Sequence, residues 1–559
     1  MRRGLLAAAL LCGCAGADRA ERSGELPGLY VRLLEDGIPA LEARAASDSE
    51  VRTFGNGILA PALLAARGDR SKLALAQKIG DRLAEESEAG RFAGWLNHQW
   101  IVTLWLDSWR LLERDLGDER RARWRKEIEK QLEEMVADVR ERLDYPRFQS
   151  PYIRTSPNHL SIWSSTVHLA GKVFRNAEWE KLGGQAMHRF AETEQTPDGY
   201  WGEHSDSGPT TGYNYLTFTS MALYYEHSRD PAALEALRRG TDFHTAFTWP
   251  DGTPVEVIND RNRRWEASPW GHFGFSNFPE GRRYAAFLMG ILKQRKLSPD
   301  ALGRLAQNAL YFHEGPEAPI PLDLPKYVRR MNVPAGIRKS APWTVCLSGL
   351  IATSAVTNQF YLDRQGHVSL FHGKLGLIVS GANSKRQPEL ATFSEKAGGQ
   401  VMHLPTSSRL VMDESGDRLS LAYNTFFADL RVGPPTGNTV TIEVTVVERG
   451  RMEDARLTLQ LRLKAGEALE TAASKVVVGA ERIDAPAGRI RHAGWTVRTD
   501  APGATLAWPV FPFNPYANGP ETSLDHAVAA FSIPLRPAAA EGRPRLKTQT
   551  FTITLEADP

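Results

Sequence analysis

The feature that most narrows what this chain can fold into is a change of hydrophobic period partway along it. Up to about residue 313 apolar side chains recur at three- and four-residue steps, the spacing that gathers them on one face of a helix. The clearest run is 119–144, where Ile128, Leu132, Met135, Val136, Val139 and Leu143 stand among many charges and Tyr145-Pro146 ends the pattern. Other runs of helical length lie near 28–45, 57–67, 72–87, 95–115, 160–174, 178–195, 215–228, 231–247, 283–293 and 298–313. A proline-rich bridge follows, from Pro316 to Pro325. Beyond about residue 340 the period is two, as in Val440, Ile442, Val444 and Val446, in Leu457, Leu459, Leu461 and Leu463, and in Phe551, Ile553 and Leu555.

Roughly ten or eleven helices joined by turns such as Gly68-Asp69, Gly117-Asp118 and Asp230-Pro231 predict an α/α array. No fixed repeat links the runs, so a closed or incomplete (α/α) toroid is expected rather than a regular solenoid. Many short alternating runs without helices between them predict an antiparallel β-sandwich. A length of 559 residues is too great for one hydrophobic core. The expected division is 1–14 export signal, 15–27 tether, 28–315 toroid, 316–339 linker and 340–559 β-sandwich.

With 68 Lys and Arg against 66 Asp and Glu, the formal net charge is +2, so no global field gathers nucleic acid, and none is expected as a partner. An anionic partner must be held by a local cluster. At the start of the chain Arg2 and Arg3 precede the apolar run Leu5 to Leu11, which is too short to span a bilayer as a helix. Leu11-Cys12-Gly13-Cys14 resembles the lipobox of bacterial lipoproteins, which implies a lipidated Cys14 and attachment to the cell envelope through that anchor only. Ala15 after Cys14 points to the outer membrane. Once the signal is removed, Cys346 is the one unmodified thiol, which leaves no intramolecular disulfide and no Cys-rich zinc site. Its apolar setting, Val345 to Ile351, predicts a buried small residue.

The polar chemistry concentrates between residues 156 and 219. Ser156-Pro157-Asn158-His159 opens one helical run, Gly208 to Tyr213-Asn214-Tyr215 opens another, and Asp198-Gly-Tyr-Trp201-Gly-Glu203-His204 lies between them. A helical toroid with a β-sandwich behind it, an adjacent Asn-His pair and a Tyr 54 positions after the His resembles the toroid polysaccharide lyases, the alginate lyases and heparinase II/III-like enzymes. The likeness is residue-specific over about 154–265. It implies that Asn158 neutralises a substrate carboxylate and that His159 and Tyr213 act as base and acid, with Tyr215 the alternative phenol. The loop from Trp249 to Trp265 is similar to the Asp-Gly-Thr segment of heparinase-like proteins.

That trio also makes sense as chemistry. In β-elimination from a uronic acid the C5 proton becomes removable when the adjacent carboxylate is neutralised, so that charge can spread into it, and an Asn amide can supply that hydrogen bond. His159 or Tyr213 would take the proton, and Tyr213 would return one to the O4 leaving group. A phenol with a reference pKa of about 10 needs a cation or donor nearby to act as a base. Arg154, His204 and Arg261 with Arg264 are the candidates. Arginine forks and tryptophan faces suit an acidic glycan, which makes Trp201, Arg261, Arg264 and Trp265 the expected substrate contacts.

Each feature has a plainer reading. Asn158 after Pro157 suits a helix N-cap, the tyrosines suit packing, and the arginine loop suits a solvated surface. Asp198 and Glu203 raise a rival activity, a glycoside hydrolase using two carboxylates. A glycan-binding lipoprotein without catalysis is a third reading. In the β-domain His372 and His403 lie too far apart in sequence to pair as ligands, and no essential metal or cofactor is expected.

Overall fold

The computed structural model describes residues 22–559 apart from 49, 93–95, 205–207, 260–265, 352–365, 382–386, 515, 518, 521 and 541–542. Its first half is helical: α1 (Leu26–Ser47), α2 (Leu59–Ala66), α3 (Leu73–Glu88), α4 (Leu96–Leu112), α5 (Asp118–Leu143), α6 (Ser150–Ile153), α7 (Pro157–Phe174), α8 (Ala177–Arg189), α9 (Thr211–Ser228), α10 (Pro231–Ala246), α11 (His272–Phe275), α12 (Pro279–Leu292) and α13 (Pro299–Tyr311). The first helix lies against the last, and Gly37 of α1 accommodates the Leu302 side chain of α13. One apolar core runs through the array, with Trp105, Trp124, Trp163 and Tyr284 among its largest members.

The helices that carry the polar segments are set by local chemistry. Pro157 occupies the first turn of α7 after Ser156, and the helix ends at Arg175 in the left-handed region, φ 57°. Asn176 then caps α8, its side chain accepting from the backbone N–H groups of Glu178 and Trp179. This reversal folds α8 back along α7, and α9 packs on the other side of α7. Gly171 and Gly183 allow the α7–α8 approach. A Cβ on Gly171 would strike the backbone nitrogen of Glu180, and one on Gly183 the backbone oxygen of Ser164.

The second half is antiparallel sheet. One eleven-stranded sheet runs in the order Lys326–Arg330, Ala335–Ser340, Trp343–Ser348, Val368–His372, Gly376–Ser380, Arg456–Leu461, Val528–Pro534, Thr505–Val510 and Ile483–Pro486, with two further strands off this path. A ten-stranded sheet packs on it, its centre formed by Arg543–Ala557 and Thr439–Glu448. Alternation decides which side chains enter the space between the sheets. Val440, Ile442, Val444 and Val446 are buried there beside Leu457, Leu459 and Phe531.

Two expected boundaries move. The body begins with the turn Ser23–Glu25, inside the expected tether, and the segment expected to be a linker, 316–339, carries sheet strands from Lys326 onward. The strand Lys326–Arg330 is an exposed edge rich in charge, so no apolar alternation announced it. The early start of the sheet has a purpose visible in the seam between halves. Tyr200, Phe243, Phe247, Trp249 and Val257 from the helical half form one buried cluster with Met331, Ile337, Cys346, Phe371 and Leu377 from the sheet. Trp249 and Phe371 stack at 5.4 Å between ring centroids. Glu256, 2% exposed, accepts from Trp249 Nε1 at 2.7 Å, Ser369 Oγ at 2.6 Å and Gly381 N at 3.0 Å, which ties both halves to one carboxylate.

Candidate active site

The loop between α8 and α9 brings the polar segments together. Its Trp201 backbone N–H donates to Asn214 Oδ1 at 3.0 Å, in the first turn of α9. Two residues on, Glu203 Oε1 accepts from Asn158 Nδ2 at 2.8 Å, in the first turn of α7. One short loop therefore bridges the N-terminal turns of the two helices that carry Asn158, His159 and Tyr213. The Glu203 carbonyl in turn accepts from Ser150 N at 2.9 Å and Ser150 Oγ at 2.8 Å, which pins the loop to α6.

Asn158 lies in the first turn of α7 and Ser156 takes the capping position. The side chain is fully buried, and only its amino end can face a carboxylate, which orients the amide. Its Oδ1 is buried without a hydrogen-bond partner among the described residues.

His159 is half-buried and its Nδ1 lies 3.0 Å from Thr155 Oγ1. Its ring sits among aromatics: Trp100 at 5.6 Å, edge to face, and Trp163 at 6.1 Å. Trp100 meets Trp270 at 6.3 Å, and the Arg304 guanidinium lies 3.7 Å over the Trp270 ring. Burial lowers that guanidinium to about 10. Trp100 and Trp270 were not singled out by motif, since an isolated tryptophan in a helical run reads as core.

The two tyrosines separate cleanly. Tyr213 is half-buried and its hydroxyl lies 3.0 Å from the hydroxyl of Tyr516, a β-domain residue 303 positions away. Tyr215 is 1% exposed, stacks on His244 at 4.0 Å, and shares a 2.6 Å hydrogen bond with Tyr284, which also meets Thr248 Oγ1 at 2.7 Å. Burial pushes its phenol up to about 12. Its place as the alternative phenol is therefore corrected: it points from the helix into the core, two residues and half a turn from Tyr213.

Trp201 and Asp198 are engaged in the fold. Trp201 is 2% exposed with its indole N–H donated to Phe190 O at 2.8 Å, so it packs rather than lines a cleft. Asp198 accepts at 3.0 Å from both Asn332 N and Asn332 Nδ2, an inter-domain clamp that removes it from the carboxylate pair of the hydrolase reading. Arg154 is exposed in the left-handed region, φ 57°, where it closes α6. His204 follows Glu203 and is half-buried. Arg261, Arg264 and Trp265, like Cys14, lie outside the described residues. Tyr516 is the contributor that motif reading missed, because nothing local in Phe513 to Ala517 signals it.

The architecture is that of a helical toroid joined to an antiparallel β-sandwich, as in known polysaccharide lyases. The Streptomyces coelicolor chondroitin AC lyase, in complex with chondroitin sulphate, superposes with a TM-score of 0.51 at 11% identity, over 98% of this chain and 81% of that one. A mutant of the same enzyme gives 0.48 at 11% identity, over 97% and 80%. A Geobacillus stearothermophilus β-L-arabinofuranosidase gives 0.27 at 12% identity, over 95% and 94%, and only the first of the three is near enough to define the fold. No protein-family model matches the chain. No curated protein matches it either.

Proposed function

We propose that this protein is a polysaccharide lyase that cleaves a uronic-acid-containing, anionic glycan by β-elimination. The observation that carries the reading is the 200–204 loop, which touches the first turns of α7 and α9 at once and so gathers an amide, an imidazole and a phenol at neighbouring helix ends. Glu203 fixes Asn158 through one amide hydrogen and leaves the second to meet the substrate carboxylate. Because Asn158 is fully covered, the side chains over it must shift for that contact to form.

With the carboxylate neutralised, His159 or Tyr213 removes the C5 proton and the electron pair spreads into the carboxylate as an enolate-like species. Collapse forms the C4–C5 double bond and breaks the bond from C4 to the bridging oxygen, which leaves with a proton from Tyr213. Trp100, edge to face with His159 and in turn with Trp270, sets aromatic surface beside the imidazole against which a sugar ring can pack. The likeness in fold to a chondroitin AC lyase supports the substrate class, and Asp198, held by Asn332, weakens the two-carboxylate alternative.

Incubation with alginate, glycosaminoglycans and plant or algal uronates tests this. Ultraviolet absorbance from an unsaturated uronide is the expected result. New reducing ends without that chromophore would establish a hydrolase instead, and binding without cleavage would establish a silent glycan-binding protein. The N-terminal sequence adds a proposed location at the outer membrane of a bacterial envelope, through lipid on Cys14. Metabolic labelling with a fatty acid should mark the wild type and not Cys14→Ser.

A further inference from the structure

We propose that Tyr516 is a positioning residue: the β-domain sets the phenol of Tyr213 from the far side of the cleft, so the reactive pair is complete only when the two halves are docked. The proposal rests on the elimination reading and extends it to a residue with no motif.

Three observations converge on Tyr516. Its hydroxyl meets that of Tyr213 at 3.0 Å, and both side chains are half-buried at a boundary between halves, away from the packed interior that holds Tyr215. The turn that carries it is held firmly. Asn514 Oδ1 accepts from Tyr516 N at 2.9 Å, and the Gln387 side chain donates to Phe511 O at 3.0 Å and accepts from Phe513 N at 2.9 Å. Behind the contact the halves are fastened by Glu256 and by the Asp198–Asn332 clamp. A phenol delivered on this mount to the tyrosine in the first turn of α9 acts as its hydrogen-bond partner from the other half of the chain.

The chemistry gives that partner a use. Either phenol can donate across this contact; when Tyr516 donates, it favours the Tyr213 phenolate over the phenol and turns the remaining Tyr213 lone pair toward the sugar. The β-sandwich thereby contributes to proton transfer without touching substrate.

Tyr516→Phe removes only the hydroxyl from a half-buried side chain, so the fold tolerates it. The pH profile of kcat should move upward by about half to one unit on the limb reporting Tyr213, since one hydrogen bond to the charged form is lost. At neutral pH kcat should fall roughly 3- to 10-fold with KM changed less. Tyrosine labelled with carbon-13 at Cζ, with Tyr213→Phe to assign the resonance, reads the Tyr213 titration directly and needs no turnover. Failure to cleave any uronate would sink the elimination reading alone, because the titration still decides the contact. An unshifted Tyr213 titration in Tyr516→Phe, with or without a uniform loss of rate, would reduce Tyr516 to a packing contact and overturn the proposal.

Discussion

At the scale of single residues, Tyr213 and Tyr215 form a natural control. They share a helix turn and a motif, yet one phenol meets the other domain and one is sealed beside His244. Tyr213→Phe and His159→Ala should each abolish turnover while circular dichroism and the unfolding midpoint stay near wild type; near-normal rates in either would contradict its role. Tyr215→Phe should keep turnover and cost about 1 kcal/mol in urea unfolding, since Tyr284 retains Thr248 as a partner. Buried imidazoles set a pH dependence of stability. Burial holds His244 at about 3, and His227 and His272 at about 4, so all three are neutral in the folded protein near pH 6. Their folded values lie below the unfolded value of about 6.5, so the unfolded chain binds more protons in that window. Their stabilisation is complete above about pH 6.5 and lost as pH falls toward 4, by up to ~1.4 kcal/mol per pH unit for each. Urea titrations at pH 7 and pH 5 should show the drop, and equal midpoints would refute it. Asn158, His159 and Tyr213 stand out in the sequence as a spacing, and the roles proposed for them rest on it. Tyr516 does not, because a contact across 303 positions exists only after the sheets have formed.

At the scale of elements, the long helices were legible because a buried stripe at 3.6-residue spacing leaves its trace in sequence, as in α3 and α5. What escaped notice lacks such a stripe. The strand Lys326–Arg330 is a charged edge, and α6 and α11 are single turns dictated by their surroundings. The α7–α8 hairpin makes the sharpest element-level prediction. Gly183→Ala places a methyl against the Ser164 carbonyl and the His168 amide, backbone that cannot rotate away, so the helices must part. The expected cost is about 1–3 kcal/mol in denaturant unfolding. Gly290, with open space where a Cβ would go, is the comparison: Gly290→Ala in α12 should be neutral or mildly stabilising.

At the scale of the molecule, the two halves are not separately covered. The aromatic seam around Trp249 and Phe371, with one carboxylate bonded from both sides, makes each half part of the other's interior. Glu256→Leu takes the acceptor from the Trp249 indole and the Ser369 hydroxyl, while the Gly381 amide keeps its bond to Ser369 Oγ at 2.9 Å. Calorimetry should then resolve two melting transitions where the wild type shows one, and a single transition in the variant would refute this. The same seam bears on a broken chain. A protease cut in the stretch 314–320 severs the only covalent link and leaves every tie across the seam in place, so the pieces should migrate together on a sizing column. Made as two polypeptides in one cell, they should find each other and restore the whole, which turns an ordinary two-part scaffold into a reporter of whether its halves have met.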